Sequence, residues 1–250
     1  MKRIEVTPGD DETLDSFYHG RILLLQKKRG YRFSVDAPLL ADFIRPRPED
    51  RLLELGAGNG VVSLLLSRKA FREIVCLEVQ PGLADLARRN IVLNRLEERI
   101  VVIEQDLREF LPQEKFDLVF SNPPYIQSRG GPLSRSEEKS IAKHEIKGDI
   151  FDIMQAAGRV LKRDGRACFI YPMKRRGDFE RALGEAGLKI SGLRFVHPRP
   201  GEPARWFLSE CRFEASSVAL FPPLWVYKKK GEYTPEMKAI FAGEDFDPHL

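Results

Sequence analysis

The chain has 250 residues, and its hydrophobic content of 42% and charged content of 31% are typical of a soluble globular protein of one large or two small domains. No apolar run approaches the roughly 20 residues of a membrane span, and the N-terminus lacks a secretory apolar core, so we expect a cytoplasmic protein without a membrane partner. The net charge of +4 permits a nucleic-acid partner without requiring one. The cysteines Cys76, Cys168 and Cys211 have no metal-ligand spacing, which predicts reduced, buried thiols and no metal site.

Apolar runs alternate with amphipathic stretches from about residue 50 to residue 213. The predicted strands are Arg51–Leu55, Glu73–Val79, Arg99–Glu104, Phe116–Phe120, Gly165–Tyr171, Lys189–Val196 and Arg205–Phe213. The predicted helices are Val61–Arg68, Pro81–Asn94, Ile150–Leu161 and Lys174–Ala186. This alternation indicates a doubly wound α/β fold with a mostly parallel sheet. A proline-rich link at residues 197–203 predicts that the last two strands pair antiparallel.

Two regions lie outside this alternation. Near the N-terminus, Pro38 would open a short helix that Ser34 or Asp36 caps. Near the C-terminus, we predict a strand at Leu224–Tyr227 and a helix that starts at Thr234.

The sequence Asn122-Pro123-Pro124-Tyr125 directly follows the predicted strand Phe116–Phe120. The Asn122 side-chain oxygen and a carbonyl that precedes a proline can both accept hydrogen bonds from one NH2 group, and the prolines hold these acceptors rigidly. Tyr125 supplies an aromatic face on which a planar base or amide can stack. The alternative interpretation is an ordinary proline-rich turn.

Three glycines at positions 56, 58 and 60 follow the first predicted strand and open a helix. Glycines there allow a tight turn and the close approach of a ligand to the backbone. Acidic or amide groups occur at the carboxyl ends of four successive predicted strands: Glu54, Glu78, Asp106 and Asn122. Because ligands bind at this edge of open α/β sheets, we predict a ligand site there. The alternative is that each group is a solvated strand end.

The spacing of the glycines separates two candidate cofactors. The NAD fingerprint is Gly-x-Gly-x-x-Gly. The spacing here is Glu54-x-Gly56-x-Gly58-x-Gly60, which resembles the S-adenosylmethionine site of class I methyltransferases. A carboxylate at Glu54 suits the methionyl ammonium of that cofactor better than it suits a pyrophosphate.

Asn122-Pro123-Pro124-Tyr125 resembles the Asn-Pro-Pro-Tyr signature of amino-methyltransferases, which modify adenine N6, guanine N2 or a glutamine amide. Further segments are similar to the bacterial tRNA1(Val) adenine-N6 methyltransferase family: residues 30–40, 142–145, 196–199, 203–204 and 231–234. The resemblance covers nearly the whole chain. It implies a class I, Rossmann-like methyltransferase with a doubly wound, mostly parallel seven-stranded sheet whose last strand is antiparallel.

The same resemblance implies one methyltransferase domain. Residues 1–48 would form a segment that covers substrate and cofactor, residues 49–213 the S-adenosylmethionine-binding core, and residues 214–250 a C-terminal extension. We expect a monomer that acts on tRNA, with the anticodon-loop adenosine of tRNA1(Val) as the expected target.

The resemblance also implies the residues that hold the cofactor. Glu54 and the glycines at 56, 58 and 60 would hold its methionine part, Glu78 its ribose and Asp106 its adenine. Phe33 and Asp36 match the segment that packs near the methionine end.

In the catalytic site that the resemblance implies, Asn122 and Pro123 accept hydrogen bonds from the target amine, and Tyr125 stacks on the target base. Accepting a hydrogen bond from each N–H of the amine favours a more tetrahedral, nucleophilic nitrogen, and in-line positioning supplies much of the acceleration. Candidate tRNA contacts are basic residues in residues 127–148, after the signature, and in the later segment 196–199: Arg129, Lys143, His144, His197 and Arg199. The alternative for these residues is a solvated surface, or a structural role for the two histidines.

Three rival functions remain open. A glutamine N5-methyltransferase of release factors shares the signature but carries an N-terminal helical domain, and only about fifty residues precede the first predicted strand here. A DNA adenine methyltransferase would normally add a target-recognition domain, which the sequence does not show. A non-catalytic S-adenosylmethionine-binding protein would not need an intact signature.

Overall fold

The computed structural model describes residues 6–29, 34–123, 149–229 and 231–246. The strands in these ranges are β1 (Glu12–Phe17), β2 (Ile22–Lys27), β3 (Arg51–Leu55), β4 (Glu73–Glu78), β5 (Ile100–Glu104), β6 (Phe116–Ser121), β7 (Leu161–Pro172), β8 (Lys189–His197), β9 (Trp206–Arg212), β10 (Ala219–Leu220), β11 (Leu224–Trp225), β12 (Tyr227–Lys229) and β13 (Glu232–Tyr233). The helices are α1 (Asp36–Phe43), α2 (Val61–Leu66), α3 (Pro81–Leu93), α4 (Ile150–Val160), α5 (Arg176–Glu185), which follows a 3-10 turn at Met173–Arg175, and α6 (Pro235–Ala242). Over the described part of the chain, every helix is too short or too polar to cross a membrane.

The central sheet has the strand order β10-β8-β9-β7-β6-β3-β4-β5, and β11 also pairs with β8. The five strands β5, β4, β3, β6 and β7 are parallel to one another, whereas β9 is antiparallel to both β7 and β8. The prediction of a mostly parallel sheet with an antiparallel last strand is confirmed. The seven predicted strands are all present, although β7 begins four residues earlier than predicted. Strand β11 lies within the predicted strand Leu224–Tyr227, whereas the two-residue strand β10 is not predicted, and both are parallel to β8.

The parallel register brings several strand ends to one edge of the sheet. Leu55 of β3 lies opposite Leu77 of β4, and Glu78 of β4 lies opposite Glu104 of β5. β6 pairs with β3 on the other side, with Glu54 opposite Phe120. Residues that follow these strands therefore lie side by side along the carboxyl edge of the sheet.

Two hydrophobic clusters pack against the sheet, because side chains alternate between its faces. One cluster includes Leu52 and Phe120 together with residues of β2, α1, α2 and α6. The other includes Leu53 and Val119 together with residues of α4 and α5. The three cysteines are buried, as predicted, and none of them forms a disulfide within the described part of the chain.

The N-terminal hairpin formed by β1 and β2 was not predicted. Its strands pair antiparallel from Glu12 opposite Lys27 to Phe17 opposite Ile22. The connection places Tyr18 and His19 at φ values of 52° and 56°, in the left-handed region. Asn-Gly or Asp-Gly is the usual signal for such a turn, and the aromatic pair here does not carry it.

The predicted helix at Pro38 is present as α1, but its predicted cap is wrong. The N-cap position is Val35, and no side chain in the described part of the chain caps the helix. Ser34 Oγ instead donates to Asp36 Oδ1 at 2.6 Å. At the other end of α1, the Lys69 ammonium donates hydrogen bonds to three carbonyl oxygens. These are the oxygens of residues 41, 42 and 44, at 2.7, 2.9 and 2.6 Å.

Helix α6 begins as predicted at Thr234, whose Oγ1 accepts a hydrogen bond from Met237 N at 3.2 Å. It ends at Gly243, which has a φ of 67°. A Cβ on Gly243 would lie 2.6 Å from the ring of Tyr18 in the N-terminal hairpin. Glycine is therefore required there both by the backbone conformation and by the contact with Tyr18.

Candidate active site

A glycine turn, residues 56–60, connects β3 to α2. It starts across the end of β4, where Gly56 N and Ala57 N donate to Leu77 O at 2.9 and 3.0 Å. The φ values of 67°, 58° and 78° at residues 56, 58 and 60 lie in the left-handed region that favours glycine. Gly56 is exposed, and a Cβ built there would meet no atom of the described residues within 4 Å. A ligand can therefore reach the backbone at this position.

Glu78, at the end of β4, accepts a hydrogen bond from the backbone of the glycine turn. One carboxylate oxygen accepts from Gly58 N at 2.8 Å and the other from Gln80 N at 2.9 Å. The residue is 4% exposed, and burial raises the pKa of its carboxyl group. Glu78 thus fixes the geometry of the turn, and its predicted bond to ribose remains a proposal.

Glu54 lies inside the fold beneath α2. Its Oε2 accepts hydrogen bonds from the amide and the hydroxyl of Ser63, and the Cys76 thiol lies 3.8 Å from the same oxygen. Burial raises the pKa of this carboxyl group to about 8. These contacts are all to Oε2, and the predicted bond of Glu54 to a ligand's amine remains a proposal.

Asp106 follows β5 and is half-buried. Its Oδ1 accepts from the backbone N of Arg108 at 2.9 Å, and the Arg108 guanidinium pairs with the same carboxylate. The exposed Arg108 side chain therefore competes with any ligand for Asp106. Asp36, in α1, is also buried, and its carboxylate accepts from Ser34 and Ala37.

The end of β6 lies directly beside the glycine turn. The buried Ser121 donates from Oγ to Leu55 O at 2.7 Å, which ties the last residue of β6 to the last residue of β3. Asn122 follows and is half-buried, and Pro123 is buried. The structure therefore brings the predicted amine acceptor next to the predicted cofactor turn.

Several predicted site residues lie outside the described residues: Phe33, Tyr125, Arg129, Lys143 and His144. His197 and Arg199 are described, and they lie at the carboxyl end of β8 on the same edge of the sheet. β7 and β9 separate β8 from β6, which amounts to about 14 Å at the usual strand spacing. His197 Nδ1 is 2.8 Å from Glu202 O, and Arg199 donates to Glu202 Oε1 at 2.6 Å. The structure thus does not bring these two residues to Asn122.

Three polar residues of this region are not predicted from the sequence. Ser121 had no local signal, since a serine at a strand end is common. Asn90 lies on the buried face of α3 and donates to Asn59 O at 3.0 Å. The sequence feature that could have indicated Asn90 is its position as a polar residue on the apolar face of α3, beside Ala87 and Ile91. Asn59 was passed over because it stands between the glycines that define the motif.

The Asn59 side chain tests whether this region fits a bound cofactor. Asn59 is 0% exposed, and neither its amide nitrogen nor its amide oxygen has a partner within the described part of the chain. Buried polar groups are nearly always paired, so this amide indicates that a polar ligand or ordered water completes the site. An open glycine turn, this amide and the carboxylates of Glu54, Glu78 and Asp106 fit a ligand that carries an amine and hydroxyl groups.

The sheet order and the glycine turn define a class I S-adenosylmethionine-dependent methyltransferase. The model of the Methyltransferase small domain family matches residues 32–178, and the chain belongs to that family. Solved structures share the fold. A protein described as "a predicted O-methyltransferase, protein Atu636" from Agrobacterium tumefaciens aligns with a TM-score of 0.64 at 24% identity, over 86% of this chain and 100% of that chain. Geranyl diphosphate C-methyltransferase from Streptomyces coelicolor A3(2), in complex with S-adenosyl-L-homocysteine, aligns with a TM-score of 0.52 at 15% identity, over 71% and 78%.

Curated relatives extend the similarity beyond the matched domain. The tRNA1(Val) (adenine(37)-N6)-methyltransferase of Dyadobacter fermentans is 27% identical over 212 residues, which cover 82% of this chain and 86% of the relative. The protein of the same name from Yersinia pseudotuberculosis is 24% identical over 242 residues, which cover 94% and 92%. The resemblance stated from the sequence motifs is therefore confirmed, and the protein is an enzyme that uses S-adenosylmethionine.

Proposed function

We propose that the enzyme methylates the exocyclic N6 amine of an adenosine in tRNA, and that this adenosine is in the anticodon loop of tRNA1(Val). The observation that carries the proposal is the placement of Asn122 and Pro123 beside the glycine turn, fixed by the Ser121–Leu55 hydrogen bond. The names of the curated relatives support tRNA as the substrate.

The proposed cofactor contacts follow the same edge of the sheet. Bound S-adenosylmethionine supplies an electrophilic methyl group on its sulfonium. Glu54 and the glycine turn bind the methionine part, Glu78 the ribose and Asp106 the adenine. For Glu78 and Asp106, the ligand hydroxyls and amine compete with the hydrogen bonds to Gln80 and Arg108.

The proposed role of Asn122 is to accept one hydrogen bond from the target amine through its side-chain oxygen, while the backbone carbonyl of Pro123 accepts the second. Together these bonds hold the nitrogen lone pair toward the methyl group, which lowers the entropic barrier to attack. Tyr125 stacks on the base. A base in a loop suits this site, because unstacking it costs less than extruding a paired base.

The proposed tRNA contacts outside the catalytic site include His197 and Arg199 at the end of β8. His197 lies against the exposed Trp225, with ring centroids 6.1 Å apart, and the Arg199 guanidinium lies 5.9 Å from the ring centre of Tyr227. Aromatic faces and cations suit bases and phosphates of flanking nucleotides. Arg129, Lys143 and His144 are proposed as further contacts.

Radiolabelled methyl transfer from S-adenosylmethionine to total tRNA, followed by nucleoside identification, tests the proposal. We expect label in N6-methyladenosine. Label in another nucleoside would replace the proposed base, and label in protein with unlabelled RNA would favour glutamine methylation.

The variant Asn122→Ala tests the catalytic role. We expect turnover to be abolished, while cofactor affinity stays within about twofold, because the lost interaction is made to the acceptor and not to the cofactor. Lys115→Ala is the matched control, since Lys115 is exposed just before the opposite end of β6 and should leave turnover unchanged. An equal loss of cofactor affinity in Asn122→Ala would contradict the assigned role.

A further inference from the structure

Helix α3 binds the N-terminal hairpin through two side-chain amides. Asn90 Oδ1 accepts from Leu25 N at 2.7 Å, and Asn90 Nδ2 donates to Leu25 O at 3.1 Å. Asn94 repeats the pattern on Leu23, with distances of 2.9 and 2.7 Å. Each amide thus pairs with both polar backbone groups of one residue in β2, as a neighbouring strand would.

The spacing of the two asparagines explains why both pairs form. Four residues along a helix rise about 6 Å, and two residues along a strand rise about 6.6 Å. The distance between Asn90 and Asn94 along the helix therefore nearly equals the distance between Leu25 and Leu23 along the strand. An ion pair adds to the contact, since Arg89 binds Glu12 of β1 through two bonds of 2.8 Å.

The two asparagines differ in one contact. Asn90 uses its second N–H to donate to Asn59 O, in the middle of the glycine turn, at 3.0 Å. Asn94 uses its second N–H on Asn90 O, within its own helix. Asn90 and Asn59 are both 0% exposed, so water does not replace the bond if it is lost. Asn90 alone of the two therefore connects the hairpin to the cofactor turn.

We propose that Asn90 is a positioning residue for cofactor binding, and that it couples docking of the β1–β2 hairpin to occupancy of the cofactor site. The bond from Asn90 sets the orientation of the peptide between Asn59 and Gly60, on the turn that a ligand approaches. Coupling between two sites is reciprocal, so a ligand that orders the turn also stabilises the hairpin contact at Leu25.

Calorimetric titration with S-adenosylhomocysteine compares Asn90→Ala with Asn94→Ala. Both variants lose two hydrogen bonds to the hairpin, so both should lower the melting temperature. Only Asn90→Ala should raise the dissociation constant, by about tenfold for one buried hydrogen bond, while Asn94→Ala stays within about twofold. Equal weakening in the two variants, or no weakening in Asn90→Ala, overturns the proposal.

Hydrogen exchange on the unmodified enzyme tests the coupling without a variant, and decides the matter if Asn90→Ala does not fold. The amides of Leu25 and Leu23 both donate to asparagine side chains, so each reports its own pair. Saturation with S-adenosylhomocysteine should slow exchange at Leu25 more than at Leu23. Equal slowing at both amides, or none at either, contradicts a connection through Asn90.

Discussion

The buried carboxyl group of Glu54 makes stability depend on pH in a direction opposite to that of most carboxylates. Its pKa is raised from 4.5 to about 8 by burial, so the folded state holds a proton that the unfolded chain releases between these values. The stability that this group contributes is complete below pH 4.5 and is lost as the pH rises through 8. Glu12 behaves oppositely, because its hydrogen bonds to Arg89 lower its pKa to about 2.

The variant Glu54→Gln should remove this dependence, since the amide keeps the shape without titrating. Between pH 5.5 and 7.5, the wild-type free energy of unfolding should fall relative to that of Glu54→Gln by up to about 1.4 kcal/mol per pH unit. Denaturant unfolding at several pH values measures the difference. As a control, the free energy of unfolding of Glu49→Gln should have the same pH dependence as that of the wild type, because Glu49 is exposed. The same pH dependence for Glu54→Gln would show that the Glu54 carboxyl group does not titrate in this range.

Site residues could be predicted from the sequence where the signal is local, and could not where their contacts are to residues far along the chain. Asn122 was recognised because the strand before it and the prolines after it are local signals. Asn90 was not, since its partner Leu25 belongs to a hairpin whose turn has no standard sequence signal. The internal bonds of Glu54 were also missed, because its partners Ser63 and Cys76 lie on other elements.

At the scale of elements, helix α1 depends on one distant lysine for its C-terminal end. The last carbonyls of a helix have no partners within it, and Lys69 satisfies those of residues 41, 42 and 44. The sequence predicted α1 but not this contact, because Lys69 follows α2 and approaches α1 only through packing.

The variant Lys69→Met should therefore reduce the free energy of unfolding by about 1–3 kcal/mol, since it leaves carbonyl oxygens unpaired. Denaturant unfolding measures the loss. Lys238→Met serves as the control, because Lys238 is exposed on α6 and its removal should change stability little. Equal effects of the two substitutions would mean that solvent satisfies the α1 carbonyls.

At the scale of the whole molecule, the C-terminal extension packs into the same cluster as the core strands. Leu224 and Met237 are fully buried with Leu52 and Phe120. We propose that the C-terminal extension and the core strands unfold as one domain, because their side chains share one hydrophobic cluster.

The variant Leu224→Ala tests this proposal. It should reduce the free energy of unfolding by about 2–5 kcal/mol, as truncation of other buried leucines does. Tryptophan fluorescence and circular dichroism should still report one coincident unfolding transition. Val218→Ala is the control, because Val218 is 48% exposed. Two separate transitions would show that the extension is an independent unit.

The contact between Tyr18 and Gly243 joins the first hairpin to the end of the last helix, and it has a consequence for the nascent chain. Ribosomes add about 5–20 residues per second, so residue 243 follows residue 18 by on the order of ten seconds or more. Throughout that interval Tyr18 lacks its final partner. Once α3 has left the ribosome, Asn90 and Asn94 can hold the hairpin, so its backbone is paired while the rest of the chain is still being made.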